Sequence, residues 1–230
     1  MHILMHEEGA VRYLHYGLFE REDDALLAAQ ERSTELLLSR LPPPPAKLLE
    51  VGIGLGTTLT RLLSLGYDAE GITPDEHQIA MARSLPVRCA AFEAFDPGRT
   101  YDALVFQESS QYIDSEALFA RAAALAPRVI VLDEFALRPL AEEGALHSLP
   151  RFVEAASRHG FRVVEQLDLS SKAAPTMAYF TDRIPAYRDR LLADLGITNE
   201  QIEHLIANGV KYRGRYADGT YGYWLLVFER

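Results

Sequence analysis

Between Lys47 and Asp168 short apolar runs alternate with stretches of helical spacing, a pattern that few folds can accommodate. KLLEV (47–51), DAEGI (68–72), VRCAA (87–91), YDALVF (101–106) and RVIVLD (128–133) have strand length, and helical runs separate them. A strand covered on both faces and followed by a helix that packs back on it is the βαβ unit of a parallel sheet. Thr57 to Leu65 reads as a helix closed by Gly66, and Leu149 to His159 as one closed by Gly160, because glycine takes the left-handed turn that ends a helix. Asp75 to Ser84 and Asp114 to Ala126 supply two further helices, and residues 160–169 a further strand. The spacing therefore predicts an α/β fold with helices doubly wound about one sheet.

Both ends depart from this rhythm. Pro42 to Pro45 cannot continue a helix, so they separate an N-terminal helical segment, Glu22 to Leu41, from the first strand. Ser170 to Asp218 shows no strand alternation but holds two expected helices, Pro185 to Leu195 and Thr198 to Ala207, the second with a Thr198–Gln201 capping-box spacing. A strongly aromatic and branched strand follows at 221–230. Some fifty residues are more than a connection requires, so they are expected to form a cap over a site. Met177, Tyr179, Phe180 and Tyr187 are its candidates for lining an acceptor pocket.

Composition removes several classes of function. A net charge of −10 leaves no surplus of cations for phosphate, so neither nucleic acid nor an anionic membrane is expected as partner. No apolar run is long enough to span a bilayer, and the first residues lack a basic stretch followed by an apolar one, so a cytoplasmic location is expected. The one cysteine, Cys89, excludes an internal disulfide and reads as a buried small hydrophobe in its strand. The seven histidines follow no metal-site spacing, and no metal is expected.

The sharpest motif is Glu50-Val-Gly52-Ile-Gly54-Leu-Gly56, placed between a strand and a helix. Its glycines allow a tight turn and a close approach of backbone to a bound group. The dinucleotide fingerprint G-x-G-x-x-G would put its third glycine at Thr57, so that pattern fails. E-x-G-x-G-x-G instead resembles motif I of the class I S-adenosylmethionine-dependent methyltransferases, and Thr73 followed five residues later by Gln78 resembles their small-molecule, cyclopropane-synthase-like branch. The resemblance implies a Rossmann-like seven-stranded sheet whose last strand is antiparallel, with a helical cap (170–218) inserted before that strand. It divides the chain into an N-terminal segment (1–45) covering the cofactor site and a cofactor-binding domain (46–230).

Further residues follow from the same resemblance. Glu50, Gly52, Gly54 and Gly56 would hold the methionine part of S-adenosyl-L-methionine. Thr73 stands where most members carry an acid for the ribose hydroxyls, and Thr73 with Gln78 resembles the branch's ribose pair. Both are equally placed to cap the helix after it. Phe92 and Glu93 fall where adenine is stacked and bound, although Ala91 replaces the usual acid and Phe92 equally suits the core. Gln107, Glu108 and Tyr112 follow the fourth strand, where cofactor and acceptor meet. His15 and Tyr16, in the segment RYLHYGLFE (12–20), resemble the stretch that folds over the cofactor. The implied reaction is in-line displacement of the methyl group by a small-molecule acceptor, with Glu108, Tyr112 and His147 as candidate bases. A binding protein of this fold that transfers no methyl is the alternative, and a nucleotide-cofactor oxidoreductase a weaker one.

Overall fold

In the computed structural model residues 12–21, 23–139 and 146–230 are described, so the first eleven residues of the N-terminal segment lie outside them. Strands β1 (Lys47–Val51), β2 (Asp68–Thr73), β3 (Val87–Cys89), β4 (Ala103–Gln107), β5 (Arg128–Ala136), β6 (Arg162–Asp168) and β7 (Tyr221–Glu229) form one sheet. Its order is β3-β2-β1-β4-β5-β7-β6. Strands β1 to β5 pair in parallel, and β7 runs antiparallel between β5 and β6. Because β1 pairs with β2 on one side and β4 on the other, the chain leaves the centre of the sheet in opposite directions. A crevice opens at such a switch point, outside the carboxyl ends of the strands.

Strand β4 shows why both faces are covered. Its five residues are all buried: Leu104 and Phe106 join one core with Phe119, Phe152 and Phe228, while Ala103 and Val105 join a second with Leu48, Leu132 and Leu225. Helices α4 (Ser115–Leu125) and α5 (Leu149–Arg158) close the first face through Phe119 and Phe152. Helices α1 (Leu26–Leu38) and α2 (Thr57–Ser64) close the second through Leu37, Leu59 and Leu62. The short helix α3 (Glu76–Met81) follows β2.

The cap contains more helix than its sequence suggested: α6 (Ser170–Ala173), α7 (Pro175–Arg183), a 3₁₀ turn at Ile184–Tyr187, α8 (Arg188–Leu195) and α9 (Asn199–Ala217). The expected helix from Pro185 to Leu195 is thus broken at Tyr187. The expected helix ending at Ala207 runs ten residues further, through Gly209 and Gly214. Gly209 sits in mid-helix because a Cβ there would stand 2.2 Å from Thr181 Oγ1, so α9 can approach α7 only without a side chain. The capping box forms as its spacing indicated, with the Thr198 hydroxyl accepting from Gln201 N–H and Gln201 Oε1 accepting from Thr198 N–H. Cys89 is exposed on edge strand β3, not buried. No helix of the described residues is long and apolar enough to cross a membrane.

Candidate active site

A cavity of about 570 Å³ opens at the carboxyl ends of β1, β2 and β4, lined by the segment 12–15, the loop 50–55, Thr73–Asp75, Gln78, Phe92, Glu93, 107–109 and 111–113 among others. Of the candidate site residues, Glu50, Gly52, Gly54, Thr73, Gln78, Phe92, Glu93, Gln107, Glu108 and Tyr112 come together there. Gly56, Tyr16 and His147 do not line it.

The loop after β1 turns through three left-handed glycines, with φ of 79° at Gly52, 52° at Gly54 and 75° at Gly56. They serve different neighbours. A Cβ on Gly52 would lie 2.5 Å from that of Ser109, whose hydroxyl donates to the Val51 carbonyl and so ties the end of β4 to that of β1. A Cβ on Gly56 would lie 2.7 Å from Leu85, which explains that glycine by packing under α2. At Gly54 the nearest atom would be Leu14 Cδ1 at 3.6 Å, so only this glycine faces space. Glu50 ends 3% exposed, with Oε2 lacking any hydrogen-bond partner. Burial pushes its carboxyl up to about 8.

Two roles are separate at the end of β2. Asp75 caps α3, its carboxylate accepting from the N–H groups of His77 and Gln78. Gln78 turns its own side chain back to the strand, where Oε1 accepts from the Thr73 hydroxyl at 2.9 Å. Thr73 and Gln78 are thus a joined polar pair on the cavity wall. Phe92 opens the 3₁₀ turn after β3 and packs edge-on against Phe106 at 5.3 Å, so it belongs to the core and to the cavity lining together.

A polar chain holds the segment above the cavity. His15 is buried and its pKa falls to about 4, burial outweighing a hydrogen bond to the Tyr16 carbonyl. That carbonyl can only accept, so Nδ1 carries the proton (2.8 Å) and Nε2 accepts from the Thr34 hydroxyl (3.1 Å). Thr34 accepts in turn from Gln107 Nε2 (3.3 Å), and Gln107 Oε1 accepts from the Thr58 hydroxyl (3.0 Å). Gly17 N–H donates to Thr176 and Phe19 N–H to the Lys172 carbonyl, so the cap clamps the same segment.

Glu108 follows β4 with a φ of 54°, the one left-handed non-glycine among the described residues. Its Oε1 accepts from Tyr16 N–H at 2.5 Å and the Tyr223 hydroxyl at 2.7 Å. Burial and then the charge of Glu134 push its carboxyl well up. Glu134 accepts from the Tyr216 hydroxyl, and burial raises it to about 7. Asp133 fixes the turn after β4 by accepting from Ser110 N–H, Ser110 hydroxyl and Gln111 N–H; burial raises it to about 6. Sequence reading missed Asp133, Glu134, Tyr216 and Tyr223. The adjacent acids at the end of an otherwise apolar strand were the signal for the first two.

Three expectations about side chains are corrected. The Tyr16 ring stacks on Tyr223 at 5.7 Å and its hydroxyl meets Met177 Sδ, so Tyr16 reaches the site through its backbone N–H and not its ring. His147 Nε2 lies 3.1 and 2.9 Å from the carbonyls of Ser110 and Ile113, so that nitrogen donates and holds the turn. Phe180 packs with Phe19, Leu26 and Ala29, and Tyr179 and Tyr187 pack against that cluster, so these cap aromatics bind the cap to the N-terminal segment and do not line the cavity. Among the described residues no group of three or more His, Cys, Asp or Glu is arranged to hold a metal ion.

By sequence, no protein-family model and no curated protein matches this chain. Solved structures do match. The mycolic acid cyclopropane synthase CmaA1, complexed with SAH and CTAB, superposes with a TM-score of 0.84 at 20% identity, over 100% of this chain and 95% of that one. The fold is that of the class I methyltransferases. The same methyltransferase fold carries geranyl diphosphate methyltransferase in complex with SAM (TM-score 0.72, 19% identity, 96% of this chain and 100% of that one). It also carries the [4+2]-cyclase SpnF (TM-score 0.82, 20% identity, 99% and 92%).

Proposed function

We propose that this protein transfers a methyl group from S-adenosyl-L-methionine to a small-molecule acceptor. One observation carries the reading: a buried carboxyl with an unpartnered oxygen, Glu50, stands on the cavity beside an open left-handed glycine, Gly54. An orphaned acid in such a place suits a cation, and this cofactor brings both an ammonium and a sulfonium. When bound, it supplies a methyl carbon on positively charged sulfur, open to displacement by a nucleophile.

On this reading Glu50 and the backbone at Gly52 and Gly54 take the methionine end. Thr73 and Gln78 take the ribose hydroxyls, Phe92 and Glu93 the adenine, and Gln107 anchors the floor. Residues 12–15, within the N-terminal segment, cover the cofactor and exclude water. Glu108 and Tyr112 stand on the acceptor side, where Glu108 is placed to take a proton from an acceptor that must lose one. His147 drops out, since its Nε2–H is committed to two carbonyls. A cytoplasmic metabolite as acceptor is in keeping with the net charge of −10.

Isothermal titration tests the reading: S-adenosylhomocysteine should bind and NADH should not, and Glu50→Gln should weaken S-adenosylmethionine at least ten-fold. Binding of NADH in its place would overturn it. The likeness to a neighbour named as a [4+2]-cyclase favours a second reading, a protein that holds the cofactor without spending it. Release of S-adenosylhomocysteine during incubation with a pool of metabolites separates the two.

A further inference from the structure

The charged groups that line the cavity are mostly acids. Among the described residues Glu50, Asp75, Glu93 and Glu108 line it, against one cation, Arg12, which is more than half exposed and paired with Glu31. Glu50, with its unpartnered and deeply buried oxygen, answers to the cofactor. Glu108 lines the same cavity just beyond the neighbouring strand β4, half-buried and open to it.

Glu108 is held so that it cannot turn away. Its backbone is left-handed, its N–H donates to the Leu132 carbonyl, and Oε1 is fixed by Tyr16 N–H and the Tyr223 hydroxyl. The charged groups acting on it from the packed strand β5 are Glu134 and Asp133, both of its own sign. Tyr112, on the wall of the same cavity, is 80% exposed, and its phenol is within electrostatic reach of Asp133, Glu108 and Glu134. Tyr212 of α9 extends this group from the cap, within reach of both Glu134 and Tyr112. Glu108 and Tyr112 thus line the cavity together, while the buried Asp133 and Glu134 and the Tyr212 phenol act on them from outside its lining. An electron-rich ring face and a fixed carboxylate are what an alkylammonium group requires.

We propose that the acceptor is a cationic small molecule, an amine or ammonium compound, whose positive charge is bound between Glu108 and Tyr112. This rests on the methyltransferase reading for the word acceptor, but the charge preference stands on the wall itself. An anion at the same place would face the Glu108 carboxyl, and a neutral alcohol would gain one hydrogen bond and no charge pairing.

The test uses the whole chain, with and without saturating S-adenosylhomocysteine, and three probes of one shape: n-butylammonium, n-butanol and n-butyrate. Affinities are measured by ligand-observed NMR near pH 8. Butylammonium should bind at least ten-fold more tightly than the other two. Glu108→Gln, shown by circular dichroism to be folded, should lose most of that preference, and Tyr112→Leu should lose several-fold. Equal or better binding of butanol or butyrate, or a preference unchanged in both variants, would overturn the proposal. If S-adenosylhomocysteine fails to bind while butylammonium keeps its Glu108-dependent preference, the cofactor reading fails and the cation site survives.

Discussion

Two glycines of one loop should fail in different ways when each is replaced by alanine. At both Gly52 and Gly54 the left-handed backbone costs an L-residue about 1–2 kcal/mol. At Gly54 little is added, since 3.6 Å to Leu14 is ordinary contact. At Gly52 the new methyl would stand 2.5 Å from Ser109 Cβ, well inside contact distance, and Ser109 is pinned by its bond to Val51. Relief of such an overlap in a packed region costs about 1–3 kcal/mol. Gly52→Ala should therefore lose about 2–5 kcal/mol of stability and Gly54→Ala about 1–2. With about 2–4 °C per kcal/mol for a chain of this size, melting temperatures should separate the two clearly. Urea titration gives the stabilities, and calorimetry with S-adenosylhomocysteine gives the affinities. Gly54→Ala should lose affinity out of proportion to its small loss of stability, because its methyl enters the cavity. Equal destabilisation of the two variants, or unchanged affinity in folded Gly54→Ala, would refute the division of labour.

Other expectations can be checked alongside. Asp75→Ala should cost about 1 kcal/mol of stability through its cap and little affinity, whereas Gln78→Ala should lose on the order of 1 kcal/mol of cofactor binding; chemical denaturation and calorimetry on both variants decide. Glu50 is raised from 4.5 to about 8 by burial, so the folded protein holds its proton longer than the unfolded chain. Its contribution to stability therefore declines as pH rises from about 4.5 to 8. Glu50→Gln should flatten that decline in pH-dependent unfolding, and binding of S-adenosylmethionine to the wild type should release a proton below pH 8. His147→Leu should lower the melting temperature and leave turnover within a few-fold, measured by release of S-adenosylhomocysteine. Replacing residues 170–218 by a short linker should abolish cofactor binding as well as turnover, because Thr176 and Lys172 clamp the segment over the cavity.

Much of this was legible from residues alone, for a physical reason. Strand β4 and the glycine loop are local patterns: an apolar run buried on both faces, and a turn that only glycine can make. Helix α3 shows where locality stops. Thr73, Asp75 and Gln78 all suit capping, and only the folded contacts assign the cap to Asp75, whose carboxylate accepts from His77 and Gln78 N–H while Gln78 turns to Thr73. Glu134, Tyr216 and Tyr223 lie 26, 108 and 115 residues from Glu108, so no spacing could join them to it. The cap aromatics misled because a tyrosine or phenylalanine at helical spacing reads alike whether it faces a ligand or Phe19. Gly209 lies beyond the expected helix end at Ala207, yet it is the seat of a close helix crossing.

The chain from His15 through Thr34 and Gln107 to Thr58 has a direction. Each hydroxyl or amide in it gives its proton toward the N-terminal segment, and the last proton ends on the Tyr16 carbonyl. No member can be reversed alone without setting two donors or two lone pairs face to face. The segment above the cavity therefore lifts only by breaking a series of buried bonds, and that sets a clock. Exchange of cofactor for its spent form is expected to wait on this peeling, so residence times should lengthen far more than equilibrium affinity does, and a Thr34→Val variant should turn over its bound ligand fastest.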